Sequence, residues 1–191
     1  MPQTLRHMLV ALRIVVAMTI GLGILYPLVV TGLGQAVFHQ QANGSLMESN
    51  GKVVGSKLIT QKFTGPQWFH SRASAADYDG LASGGTNLAP SNPALVKAVT
   101  EAKQQIATEN AVALSAVPAD AVTSSASGLD PDISPQYASI QIDRVTSATG
   151  LPRSKVAALV AQNTSGGSVS PAIVNVVTLN EDLVKLTRGG Q

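Results

Sequence analysis

Residues 14–38 contain no Asp, Glu, Lys or Arg, a run of twenty-five. At about 1.5 Å per residue, a helix of that length outspans a hydrocarbon core of roughly 30 Å. The expected organisation is therefore a short cytoplasmic N-terminus (residues 1–13), a transmembrane anchor helix (14–38) and a single external domain (39–191). Arg6, His7 and Arg13 precede the run and the first acidic residue is Glu48, which by the positive-inside rule keeps the N-terminus in the cytoplasm and puts the rest outside. A cleavable secretory signal is the rival, because Gly34 and Ala36 are small residues at a peptidase-like spacing. Its apolar region is usually only about 7–15 residues, so the longer run reads as a retained anchor. With no cysteine, lipoprotein processing is excluded.

Pro27 stands in the middle of the span, where it removes a backbone hydrogen bond, and Ala17, Gly21, Gly23, Gly32 and Gly34 are small. Helices in lipid associate by packing, and small residues permit close approach, so these positions are candidates for contact with a partner helix. The frequency of glycine in transmembrane helices generally is the competing explanation.

The external part has the size of one ordinary domain and can bury a core without disulfides or metal. The net charge of +2 comes from Arg6 and Arg13, since positive and negative residues balance from His39 onward. The basic balance thus gives no reason to expect nucleic acid as a partner. Absence of cysteine removes thiolate metal sites, and His39 and His70 are too few for a histidine-rich zinc centre.

Residues 45–61 read as two strands joined by Asn50-Gly51, with Val53, Val54, Leu58 and Ile59 as the apolar faces. Residues 64–92 form a long irregular loop carrying Trp68, Phe69 and Tyr78, a type of segment that is often functional. Asn92-Pro93 opens a helix expected to reach about Ala113, with Lys97 and Glu101 as an exposed pair. Residues 128–135, Gly-Leu-Asp-Pro-Asp-Ile-Ser-Pro, make a rigid corner, after which Ser134 caps a helix with Ala138, Gln141, Val145 and Ala148 on one side and Gly150 at its end. A shorter helix from Pro152 is expected to stop at Gly166-Gly167, residues 173–179 to form a buried strand, and Asn180 to cap a last helical turn. The fold class is α+β: one transmembrane helix followed by a single mixed α/β extracytoplasmic domain.

The motifs that suggest chemistry are weak. The two helices around Thr149-Gly150-Leu151-Pro152 resemble a helix-turn-helix, yet Arg144, Arg153 and Lys155 are too few to neutralise many phosphates. Ser83-Gly84-Gly85 resembles a nucleotide-capping signature without a Walker lysine to accompany it. Asp77, Asp79, Asp130 and Asp132 are imaginable as a cation cage, but such residues in Pro/Gly-rich corners more often bond nearby amides. His70 is the main candidate for a Ser-His-Asp hydrolase, and no Gly-x-Ser-x-Gly elbow accompanies it.

A more specific pattern is distributed along the chain. It comprises Leu58-Ile59-Thr60-Gln61 with Phe63, the run Trp68-Phe69-His70-Ser71-Arg72-Ala73-Ser74-Ala75, then Tyr78, Ser83-Gly84-Gly85-Thr86-Asn87 and Asn92-Pro93. The second half continues it with residues 125–135, then Gln141, Arg144-Val145 and residues 174–180. This order resembles the C subunit of the bacterial Kdp potassium-transporting P-type ATPase, the KdpC family. Ala73, Thr86 and Asp132 depart from that family's usual proline, serine and histidine.

The resemblance implies a non-catalytic accessory subunit of an inner-membrane potassium pump, with the external domain in the periplasm. Its partners would be a channel-like subunit that carries K+, a P-type ATPase subunit and a small single-helix subunit. ATP, Mg and K+ would be used by the complex, with no cofactor, catalytic residue or metal site in this chain. The family is described as a catalytic chaperone that raises the ATP affinity of the ATPase subunit. The candidate partner-interface residues are Gly21, Gly23, Pro27, Trp68, Phe69, Arg72, Asn87, Asp130 and Arg144, with internal scaffolding as the other role open to those in the domain. The functional alternatives are a membrane-tethered periplasmic binding or sensor module and a small external hydrolase.

Overall fold

The computed structural model describes residues 2–49 and 51–189, and the chain divides into two compact units, Met1–Leu46 and Met47–Gln191. The first unit is built on one apolar rod: α1 (Gln3–Ile20), a π-helical turn (Gly21–Leu25) and α2 (Tyr26–Val37). Together they form a 35-residue helix, none of it buried, long and apolar enough to cross a membrane. It begins well before the uncharged run, so Arg6, His7 and Arg13 lie on the helix itself. Pro27 explains the π turn. A proline ring presses on the carbonyl four residues back, which is Gly23, and widening the preceding turn relieves that clash. The Tyr26 N–H accordingly donates to Gly21, five residues back. A four-residue helix, α3 (His39–Ala42), ends this unit's regular structure.

The second unit opens with the expected hairpin, β1 (Leu46–Ser49) and β2 (Lys52–Ser56). Asn50, half of the turn pair, lies outside the described residues. The hairpin's burial differs from expectation: Val53, Val54, Leu58 and Ile59 are exposed, and Met47 is the side chain that enters the interior. β2 ends at Ser56, short of the expected end near Gln61, so the loop expected over 64–92 extends over 57–92 without helix or strand.

Next comes α4 (Pro93–Glu109), whose Asn92 side chain accepts from the Ala94 N–H as an N-cap. It stops four residues short of the expected end because Asn110 is buried and turns its own Nδ2 onto the Ile106 carbonyl at 2.8 Å. A 3₁₀ turn (Leu114–Ala116) and α5 (Ala119–Val122) follow. The proline-rich corner contains a short strand, β3 (Asp132–Ile133), not expected from sequence. Ser134 caps α6 (Pro135–Thr149) through the Tyr137 N–H, and Gly150 ends it in the left-handed conformation at φ 70°.

After α7 (Arg153–Gln162), β4 (Thr164–Ser165) turns through Gly166-Gly167 into β5 (Ile173–Asn175). The glycine pair therefore turns a strand pair rather than stopping a helix. The apolar run expected as a strand over 173–179 divides at Asn175. Its Oδ1 accepts from the Thr178 N–H at 3.1 Å, which starts α8 (Val176–Gly189) in the middle of the run.

The strands order as β3-β5-β4, antiparallel, with Ile133 opposite Val174 and Thr164 opposite Val174 on its other side. Core side chains come from one face of this small sheet and from α6, α7 and α8: Ile133, Val174, Ala138, Val145, Val156, Leu179 and Leu183. Phe69, from the loop, is fully buried among them.

Candidate functional site

A loop segment that sends Phe69 into a core must satisfy its backbone there, since each buried amide or carbonyl left unpaired costs about 1–3 kcal/mol. Among the described residues no strand pairs with residues 66–72, and side chains replace one. The Asn180 amide, on buried α8, accepts from the Phe69 N–H and donates to the Phe69 carbonyl, both at 2.9 Å. One residue on, Gln141 of α6 repeats the arrangement: its Oε1 accepts from the His70 N–H at 2.7 Å and its Nε2 donates to the His70 carbonyl at 3.1 Å.

Arg144, one helical turn beyond Gln141, completes the clamp. Its Nη1 donates to the carbonyls of Pro66 at 2.7 Å and Trp68 at 2.9 Å, its Nη2 to Gln141 Oε1 at 2.7 Å, and its Nε to Asn110 Oδ1 at 2.9 Å. A planar guanidinium with several fixed donors suits four acceptors at once, which a lysine could not serve. Burial lowers the Arg144 pKa, with Glu109 and Tyr137 acting in the opposite direction.

Arg72 ties the far end of the segment to the proline corner. Its Nη1 donates to Asp130 Oδ2 at 3.1 Å, and its Nε to the Thr123 carbonyl at 3.2 Å. The Tyr78 hydroxyl donates to the Arg72 carbonyl at 3.0 Å, and Ser74 Oγ donates to the Gly128 carbonyl at 2.7 Å. Asp130 also accepts from the Asp132 N–H through its other oxygen at 3.0 Å, while the Asn175 amide donates to Asp132 at 3.1 Å. Burial raises the Asp132 pKa, opposed by that Asn175 bond.

The four aspartates thus face local partners: Asp77 pairs with Lys62 at 2.6 Å, and Asp79 accepts from the Leu81 N–H. Among the described residues, no group of three His, Cys, Asp or Glu side chains converges as a metal site.

The sequence candidates consequently separate. Phe69, Arg72, Asp130 and Arg144 are spent on holding the loop. Trp68 is half-buried, tilted against Phe63 with ring centroids 5.9 Å apart, and it borders an apolar hollow between the hairpin and α8 and another between α6 and α8. Asn87 is exposed, with φ 52°. Gly21 has nothing near the position a Cβ would take, and Gly23 only the Thr19 methyl at 3.8 Å, so this stretch of the rod leaves room for a neighbouring helix.

Gln141 and Asn180 were not among the candidates. One signal pointed to Gln141: an amide on an otherwise apolar helix stripe, where a polar group is retained only with a partner. Asn180 gave no local sign: it reads as the cap of a last helical turn, whereas the structure buries it within α8, whose cap is Asn175.

Comparison with known proteins places the chain. The profile of the family described as KdpC: K+-transporting ATPase, c chain, matches residues 8–185. A Potassium-transporting ATPase KdpC subunit from Pseudomonas aeruginosa is 47% identical over 181 residues, covering 93% of this chain and 96% of that protein. Proteins of the same name are 44% identical in Bacillus mycoides (93% and 94% covered) and 45% identical in Paraburkholderia xenovorans (99% and 100% covered).

Proposed function

Because this chain belongs to the KdpC family, the c chain of K+-transporting ATPases, we propose that it serves as a non-catalytic accessory subunit of the Kdp potassium-uptake complex. In this reading the apolar rod is a single-pass anchor in the bacterial inner membrane, with the N-terminus cytoplasmic and the second unit periplasmic. It assembles with the channel-like subunit, the P-type ATPase subunit and the small single-helix subunit. ATP, Mg and K+ are handled by those partners.

The observation that carries the reading is the family match across nearly the whole chain, with relatives that are themselves covered almost end to end. Two further features support it. The chain lacks the Asp-Lys-Thr-Gly signature of aspartyl phosphorylation, and its conspicuous charged side chains, Arg72, Asp130 and Arg144, hold its own backbone. Trp68, the aromatic left at the surface between two apolar hollows, is the residue of this loop best suited to anchor a partner. The chaperone role, raising ATP affinity in the ATPase subunit, then works through the assembly rather than by direct contact with nucleotide.

Purification of the tagged full chain from its host membrane in mild detergent tests this. It is expected to bring down two large polytopic proteins, and Trp68→Ala to lose them while its circular dichroism stays unchanged. Migration of the wild-type chain alone overturns the assembly reading.

A further inference from the structure

Pro27 breaks the hydrogen-bond ladder of the rod, and the π turn before it decides which carbonyl is left over. In an α-helix the Tyr26 N–H serves Leu22, four residues back. Here it donates to Gly21 alone. The residue five beyond Leu22 is Pro27, which has no N–H to give. The Leu22 carbonyl therefore meets neither an i+4 nor an i+5 donor, and no described side chain bonds to it, Thr19 and Thr31 included.

Tyr26 adds a hydroxyl to the same place. It stands at the middle of the uncharged run 14–38, with twelve residues on either side, about 18 Å of helix each way. Tyrosines that use the membrane–water boundary sit near the ends of a span, where the hydroxyl reaches water. This one is too deep for that, is 63% exposed on the rod, and has no hydrogen-bond partner among the described residues. Leu22 and Tyr26 are four apart and so lie on one side of the rod, and helical side chains lean toward the N-terminus, which carries the Tyr26 ring back over the Leu22 turn. An acceptor and a donor thus share one face. Gly21 and Gly23 flank Leu22 without obstructing approach, since a Cβ at Gly21 would meet nothing within 4 Å and one at Gly23 only the Thr19 methyl at 3.8 Å.

Hydrocarbon offers partners to neither group, and a carbonyl freed by proline persists in a span where a neighbouring helix, a Ser or Thr of the span itself, or trapped water meets it. Given the anchor and assembly reading above, on which this contact depends, we propose that the Leu22–Tyr26 face receives a transmembrane helix of a partner subunit bearing one Ser, Thr, Asn or Gln at that depth. That side chain donates to the Leu22 carbonyl and accepts from the Tyr26 hydroxyl. Hydroxyls and amides carry a donor and an acceptor together, whereas Lys, Arg and Trp only donate, and charged side chains are far costlier in lipid.

The test uses the complex purified with the full chain in mild detergent and follows how fast the chain is lost from it. Tyr26→Phe removes the hydroxyl and keeps the ring. Pro27→Leu returns an N–H that closes the ladder. Each is expected to speed the loss about tenfold, with helical content unchanged by circular dichroism, and Ile24→Ala, on the opposite side of the rod, to leave it unchanged. Benzoylphenylalanine in place of Leu25 should crosslink to a transmembrane peptide within one helical turn of a Ser, Thr, Asn or Gln. Wild-type rates in both variants, an equal effect from Ile24→Ala, or crosslinks to lipid or to a wholly apolar peptide overturn the contact and leave the assembly reading standing. A wild-type chain that purifies alone overturns both.

Discussion

Asn180 does for one residue what a neighbouring strand does for a whole segment: it offers an acceptor and a donor to the same backbone position, at 2.9 Å each, inside the core. Truncating it removes both. Asn180→Ala leaves the buried Phe69 N–H and carbonyl without partners, and the expected loss is about 2–5 kcal/mol of stability from two unsatisfied groups. Trp68, the chain's one tryptophan, adjoins Phe69 and supplies the fluorescence signal for a denaturant titration. A loss below about 0.5 kcal/mol shows that the segment is held by packing alone. The same residue measures what the sequence conceals. Trp68, Arg72 and Arg144 stand out by type. Asn180 does not, because an asparagine one hundred and eleven positions away carries no local mark of its partner.

At the level of elements, the legible parts were those with local chemistry. Asn92-Pro93, Ser134-Pro135 and Gly150 marked helix ends that the structure keeps, since caps act within one turn of the chain. The apolar run 173–179 was illegible for the opposite reason: β-branched residues suit a buried strand and a buried helix face alike, and the Asn175 cap decides between them. Two glycines with nearly the same backbone separate conformation from space. Gly150 has φ 70° and nothing within 4 Å of a Cβ position, whereas Gly128, at φ 69°, would press a Cβ to 3.0 Å from the Gly84 carbonyl, Ser74 Oγ and the Ala76 methyl. Gly150→Ala should therefore cost only the left-handed penalty of about 1 kcal/mol. Gly128→Ala adds overpacking at the join between loop and corner, for a total of about 2–4 kcal/mol. Parallel thermal melts decide it, and equal losses would show that the corner yields freely.

For the whole molecule, the decisive quantity is the side of the membrane on which the second unit lies. The rod carries Arg6 and Arg13 near its start and no charge from there to Glu48. After the rod ends at Val37 the first Lys or Arg is Lys52, so few cations near its C-terminal side compete with Arg6 and Arg13 for the cytoplasm. Alkaline phosphatase fused after the last residue is expected to be active and β-galactosidase there inactive. Arg6→Glu with Arg13→Glu should shift part of the population to the reverse orientation, because the bias rests on those two cations. The result fixes how nucleotide affinity can be altered. Under the proposed chaperone role, a second unit outside the cell can act on ATP affinity only by coupling carried through the assembly. An active β-galactosidase fusion instead puts the second unit in the cytoplasm, where the exposed side of Trp68 would be available to the proposed ATPase partner for direct contact.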